Sequence, residues 1–163
     1  MPDLDEQVAY QRAFEAVLWA MPATAIYRRR VGLLQQPGMA DNVIASYSRN
    51  LLPHAEVITG NTVTPYVAAA SDLRGGPVVL EVPPKGDKAS IYGQIVDAWQ
   101  LTLADVGPAG IDKGEGGKYL LIPPGHGEGV HRRVGGQQPA FEFECSKACH
   151  IILFIITQRA FVV

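Results

Sequence analysis

Apolar residues recur at three- and four-residue spacing near the start of the chain, with Tyr10, Phe14, Val17, Leu18 and Met21 on one face of a helix over 5–21. Asp3 or Asp5 can cap its first turn. Pro22 lacks the N–H that a continuous helix needs, so the pattern predicts a break or kink there and a second helix over 23–36, stopped by Pro37-Gly38. Trp19 and Tyr27 lie on the flanks of this pair. Residues 39–56 fit no single period, and a third short helix before Pro53 is admissible.

After His54 the period shortens to β-prone runs separated by Gly and Pro. Residues 64–71 predict a strand, Asp72-Leu73-Arg74-Gly75-Gly76 a tight connection, and 77–82 a returning strand, together a hairpin. Residues 91–99 and 118–122 are further strands, and the apolar run 151–156 is another if it joins the sheet. Helices first and strands afterwards predict a mainly β, α+β fold: an antiparallel β-sandwich with two or three helices packed at one side.

The chain has 163 residues and no Ser/Gly/Pro tract or charge block dividing it, so one domain is expected. The net charge of −2, with 14 scattered basic residues, leaves no footprint for a nucleic-acid backbone. Arg28-Arg29-Arg30 reads as a solvated helix face. The acidic start MPDLDEQVAYQ is unlike an export signal, which predicts a cytoplasmic protein, or a periplasmic or secreted one if the N-terminus has been trimmed. No run approaches the roughly 20 apolar residues of a membrane span.

Alternation along IYGQIVDAW places Asp97 on one face with Ile91, Gly93, Ile95 and Trp99, where a bare carboxylate costs several kcal/mol. Two readings follow: a structural carboxylate holding loop amides or an ion pair, or a catalytic acid or base with Lys113 or Lys118 beside it. Arg74 is a further candidate partner. The run VGPAGIDKGEGGK ends Gly-Gly-Lys, but Tyr119 stands where a phosphate loop needs Ser or Thr, and a strand follows instead of a helix. It reads as a long ordered loop with Asp112 and Lys113 at its tip. His126, His131, Cys145, Cys149 and His150 are the candidate metal ligands, without the spacing of a known metal site, so no cofactor is expected.

Three blocks, AYQRAFEAVLWAMPATAIYRRR, VITGNTVTPYVAAASDLRGGPVVLEVPP and IVDAWQLTLADVGPAGIDKGEGGKYLLIPPG, resemble the bacterial family called domain of unknown function 1254, from about Tyr10 to Gly125. The resemblance implies β-sandwich architecture with helical additions and a second module, domain of unknown function 1214, downstream. It carries no settled activity. The positions it singles out are Asn61, Thr64, Tyr66, Asp72 and Pro77, then Asp97, Trp99, Gly107, Gly110 and Lys118. Val63 stands where relatives carry an acid. The expected division is a family module over 1–125 and a diverged or truncated tail over 126–163 that completes or flanks the same domain.

These observations support an accessory or ligand-binding module of unknown biochemical function, with Asn61, Thr64, Tyr66, Asp97 and Trp99 as the ligand-binding candidates. A hydrolase or lyase using Asp97 with a lysine is the competing reading, and self-association is a third. The expected partners are a second domain or further copies of the chain, without nucleic acid or a membrane span.

Overall fold

Asp3 begins the first element by accepting the Leu4 amide on its side chain, 2.7 Å away. The computed structural model describes residues 3–50, 62–87, 89–126, 140–144 and 151–160. Helix α1 runs unbroken from Leu4 to Leu34 and contains Pro22, so one 31-residue helix replaces the two expected on either side of the proline. A proline inside a helix deletes one backbone hydrogen bond and costs about 3 kcal/mol. Contacts on both sides of Pro22 offset that cost. Trp19 packs on Trp99 with ring centroids 4.5 Å apart, and Gln100 Nε2 donates to the Pro22 carbonyl at 3.3 Å. Further along, Ile26 and Leu33 are buried.

Strand β1 (Ile44–Ser46) occupies the region where a third helix was admissible. Two backbone bonds to β2 (Tyr66–Asp72) fix it: the Asn42 amide donates to the Ala70 carbonyl at 2.8 Å and the Tyr47 amide to the Tyr66 carbonyl at 2.9 Å. The remaining strands are β3 (Val78–Val82), β4 (Ala89–Asp97), β5 (Thr102–Val106), β6 (Gly117–Ile122), β7 (Ala140–Glu144) and β8 (Ile151–Ala160). They form a five-stranded antiparallel sheet, ordered β1-β2-β8-β4-β5, and a three-stranded mixed sheet, ordered β3-β6-β7.

The predicted hairpin of residues 64–82 does not form. Its two strands exist, but β2 pairs with β1 and β8 while β3 pairs with β6 in the other sheet. Between them a single 3-10 turn, Leu73–Gly75, and Gly76 at φ +124° turn the chain out of one sheet and into the other. Leu73, fully buried, anchors that crossing.

One apolar cluster joins the two sheets: Ala69, Ile95, Ala104 and Val106 from the larger meet Leu80, Val82, Tyr119 and Leu121 from the smaller. The opposite face of the larger sheet, carrying Ala68 and Ala70, packs against Leu33 of α1. The fold is therefore mixed α+β and mostly β. Among the described residues no helix is long and apolar enough to cross a membrane.

Candidate functional site

Strand alternation puts Asp97 on the inner face of β4, and its residue is 1% exposed, as the pattern IYGQIVDAW predicts. Its Oδ1 accepts the amides of Trp99 at 2.8 Å and Leu101 at 2.9 Å, while its backbone closes the same turn through Leu101 and Gln100. The carboxylate therefore ties the β4–β5 connection, where Gln100 adopts φ +64°. Among the described residues no ion pair joins Asp97 to Lys113, Lys118 or Arg74. Lys113 is exposed on the loop before β6. Tyr119 and Leu121 face the core from β6, so Lys118 faces away from it.

A second buried carboxylate, Asp112, holds the glycine-rich loop together. Sequence reading placed it at the loop tip, yet it is 4% exposed. Its Oδ1 accepts the Gly107 amide at 2.6 Å and its Oδ2 the Gly116 amide at 3.2 Å. The glycines let the loop fold over this acid. A Cβ on Gly107, at φ +95°, would stand 1.8 Å from the Ile91 carbonyl oxygen, and one on Gly110 2.3 Å from that of Asp105. Burial chiefly, and then the charge of nearby Asp112, keep the Tyr119 phenol protonated to well above its usual range. Although close to that carboxylate, the Tyr119 hydroxyl has no partner in hydrogen-bonding geometry among the described residues.

Asp72 organises the junction of α1 with the larger sheet. It accepts the Arg74 amide at 3.0 Å and the Arg74 guanidinium on both carboxylate oxygens. Arg30, itself paired with Asp41, lies 3.9 Å from its Oδ2. The hydrogen bonds from the Arg74 side chain lead in lowering the Asp72 pKa to about 2, against a smaller opposing effect of burial. Arg30 is thus part of an ion-pair chain, whereas its neighbour Arg28 remains on the solvated face expected for the arginine run.

A groove of about 540 Å³ opens on the other face of the larger sheet, lined by Tyr92, Gln94, Val96, Asp105, Ala109 and Gly110. Gln94 Nε2 donates to Asp105 Oδ1 at 2.8 Å across the β4–β5 register, setting an amide and a carboxylate side by side on an apolar floor. Tyr66 is level with Thr157 and Tyr92 across β2, β8 and β4, so it shares this face. Asp97 lies at the other end of β4 and on the opposite face. The structure therefore does not gather Tyr66 and Asp97 into one cleft. Trp99 packs against Trp19 with the ring planes tilted by 50°, Thr64 is half-buried just before β2, and Asn61 lies outside the described residues.

Gln94, Asp105 and Tyr92 were not singled out in the sequence. The signal present was alternation: they fall on the face of β4 and β5 opposite to the buried one, where polar residues are ordinary. Among the described residues, no group of three or more His, Cys, Asp or Glu side chains is placed to hold a metal ion. Of the sequence candidates His126 is described, while His131, Cys145, Cys149 and His150 lie outside the described residues.

Two sheets with an apolar seam, carboxylates tied to loop amides and a polar groove define a mostly β module. Residues 42–157 match the family described as "Protein of unknown function (DUF1254)", and the chain belongs to that family. The match begins beyond α1 and runs past Gly125 into β8. No curated protein matches the chain. The crystal structure of the VPA0106 protein from Vibrio parahaemolyticus shares the fold, with a TM-score of 0.56 over 91% of this chain at 14% identity. This chain spans 32% of that one, about a third of its length.

Proposed function

We propose that the chain is a non-enzymatic binding module, built as a two-layer sandwich, whose groove over β4 and β5 takes a small ligand rich in hydroxyl or ammonium donors. The observation that carries this reading is the Gln94–Asp105 pair, an acceptor carboxylate and an amide held 2.8 Å apart above Gly93 and Val106. Tyr92 offers a ring wall beside them, and a groove with a few convergent polar groups on an apolar lining is the usual form of a small-molecule site. Asp97 supports the same reading from the other side, because its Oδ1 is already occupied by two loop amides, which weakens the hydrolase or lyase alternative.

In a longer polypeptide the same module would serve as an accessory domain beside a second one, domain of unknown function 1214. The length of the VPA0106 protein, about three times the matched region, is in keeping with that context. The test is thermal stabilisation by glucose and by putrescine, measured for the unaltered protein and for Asp105→Ala. Saturable stabilisation by either compound, lost in Asp105→Ala, supports the reading. No stabilisation by either, or stabilisation unchanged by the substitution, removes this groove as the site.

A further inference from the structure

Helix α1 carries two apolar faces, and among the described residues only one meets the rest of the protein. Trp19, Ile26, Arg30 and Leu33 point toward the larger sheet and its flanking loops. At 100° per residue, the stripe of Tyr10, Phe14, Val17, Leu18 and Met21 is centred about 140° around the helix from that face. All five stripe residues are exposed, between 51% and 71%. Every helix residue from Leu4 to Trp19 is exposed as well, so the first half of α1 has room for a companion along its length.

We infer that this stripe is the interface of a homodimer, in which α1 packs antiparallel against α1 of a second copy about a two-fold axis between Val17 and Leu18. The sequence is self-complementary about that point. An antiparallel copy sets Val17 against Leu18, Phe14 against Met21 and Tyr10 against Ala25, so the apolar positions coincide on both sides. Charge agrees with the same register. The helix starts with Asp3, Asp5 and Glu6 and carries Arg28 and Arg29 toward its end, and Arg28 lies on the stripe face. In the antiparallel pair each Arg28 falls opposite the first turns of its partner, with Glu6 and Asp3 one position and one turn away. A parallel pair would instead oppose acid to acid and base to base. Among the described residues, the larger sheet meets α1 on its Leu33 side, away from the stripe.

Sedimentation equilibrium of the full chain across the micromolar range tests this, together with three variants on exposed positions, Leu18→Glu, Glu6→Lys and Arg28→Glu. The expected mass is twice 17.6 kDa for the unaltered protein, with Leu18→Glu reduced to the monomer. Glu6→Lys and Arg28→Glu should each weaken self-association by about tenfold or more, as like charges then meet at both ends. Mixing those two variants should restore dimer, because every contact between position 6 of one chain and position 28 of the other then joins opposite charges again. Restoration on mixing also shows that both variants are folded. An unaltered protein that stays at 17.6 kDa, or a larger assembly indifferent to all three substitutions, overturns the proposal.

Discussion

The Asp112 carboxylate takes the Gly107 amide at 2.6 Å from beneath the loop that both residues belong to. With its second oxygen on Gly116, it closes the loop at both ends, so a residue that resembles a loop-tip acid works as an internal tie. Buried groups whose partners are removed leave donors unsatisfied, at about 1–3 kcal/mol each. Asp112→Ala is therefore expected to lower the unfolding free energy by about 2–4 kcal/mol, and Asp112→Asn by less, since the amide keeps one acceptor. Urea denaturation measures both, and equal loss from the two substitutions would contradict this account.

Asp97 uses a single oxygen for both of its amide partners, Trp99 and Leu101. Asparagine offers the same acceptor, so Asp97→Asn should cost about 1 kcal/mol or less while Asp97→Ala costs about 2–3 kcal/mol. Chemical denaturation of the two proteins gives the comparison. An Asn variant as unstable as the Ala variant would mean that the charge itself is needed at that turn.

Gly107 and Gly38 both have positive φ, but only Gly107 is hemmed in, by the Ile91 carbonyl. Gly38→Ala should cost about 1 kcal/mol from backbone strain alone. Gly107→Ala requires β4 or the loop to move and should cost at least about 3 kcal/mol, visible as a large fall in Tm or loss of soluble protein. Comparable melting temperatures for the two variants would show that the loop is not seated on β4 as described.

Acid titrates the Asp72 junction. Its folded pKa of about 2 lies below the ordinary 3.8, so the unfolded chain takes up the proton first. The stabilisation is complete above about pH 4 and is lost as pH falls through about 2. Asp72→Asn should lower Tm at neutral pH and flatten the acid limb of the Tm profile in that window. A variant whose acid limb matches that of the unaltered protein would exclude Asp72 as the titrating group.

Much of the β structure was legible because its signals are local. Alternation located β4 and the burial of Asp97, and Gly-Pro punctuation located the ends of β2 and β3. The partnership of β2 and β3 was not legible. A tight turn between two strands looks the same whether the chain folds back within one sheet or crosses to another, and the buried Leu73 decides between them only through contacts distant in sequence. Pro22 misled for a related reason, since its local cost is certain while the contacts of Trp99 and Gln100 that offset it come from the β4–β5 turn. Asp112 was missed because alternation applies to strands and has no counterpart in a loop. The groove pair Gln94 and Asp105 depended on cross-strand register, which no local pattern specifies.

Strand β8 lies between β2 and β4, bonded to both along most of their length. During synthesis these two neighbours emerge from the ribosome well before residues 151–160, and until then each offers a row of unpaired backbone groups. The larger sheet therefore closes late, by insertion of a strand instead of by growth at an edge. Such long-range pairing folds slowly and leaves sticky edges open during translation. The nascent chain is thus expected to depend on holding chaperones until β8 arrives and pairs with both neighbours.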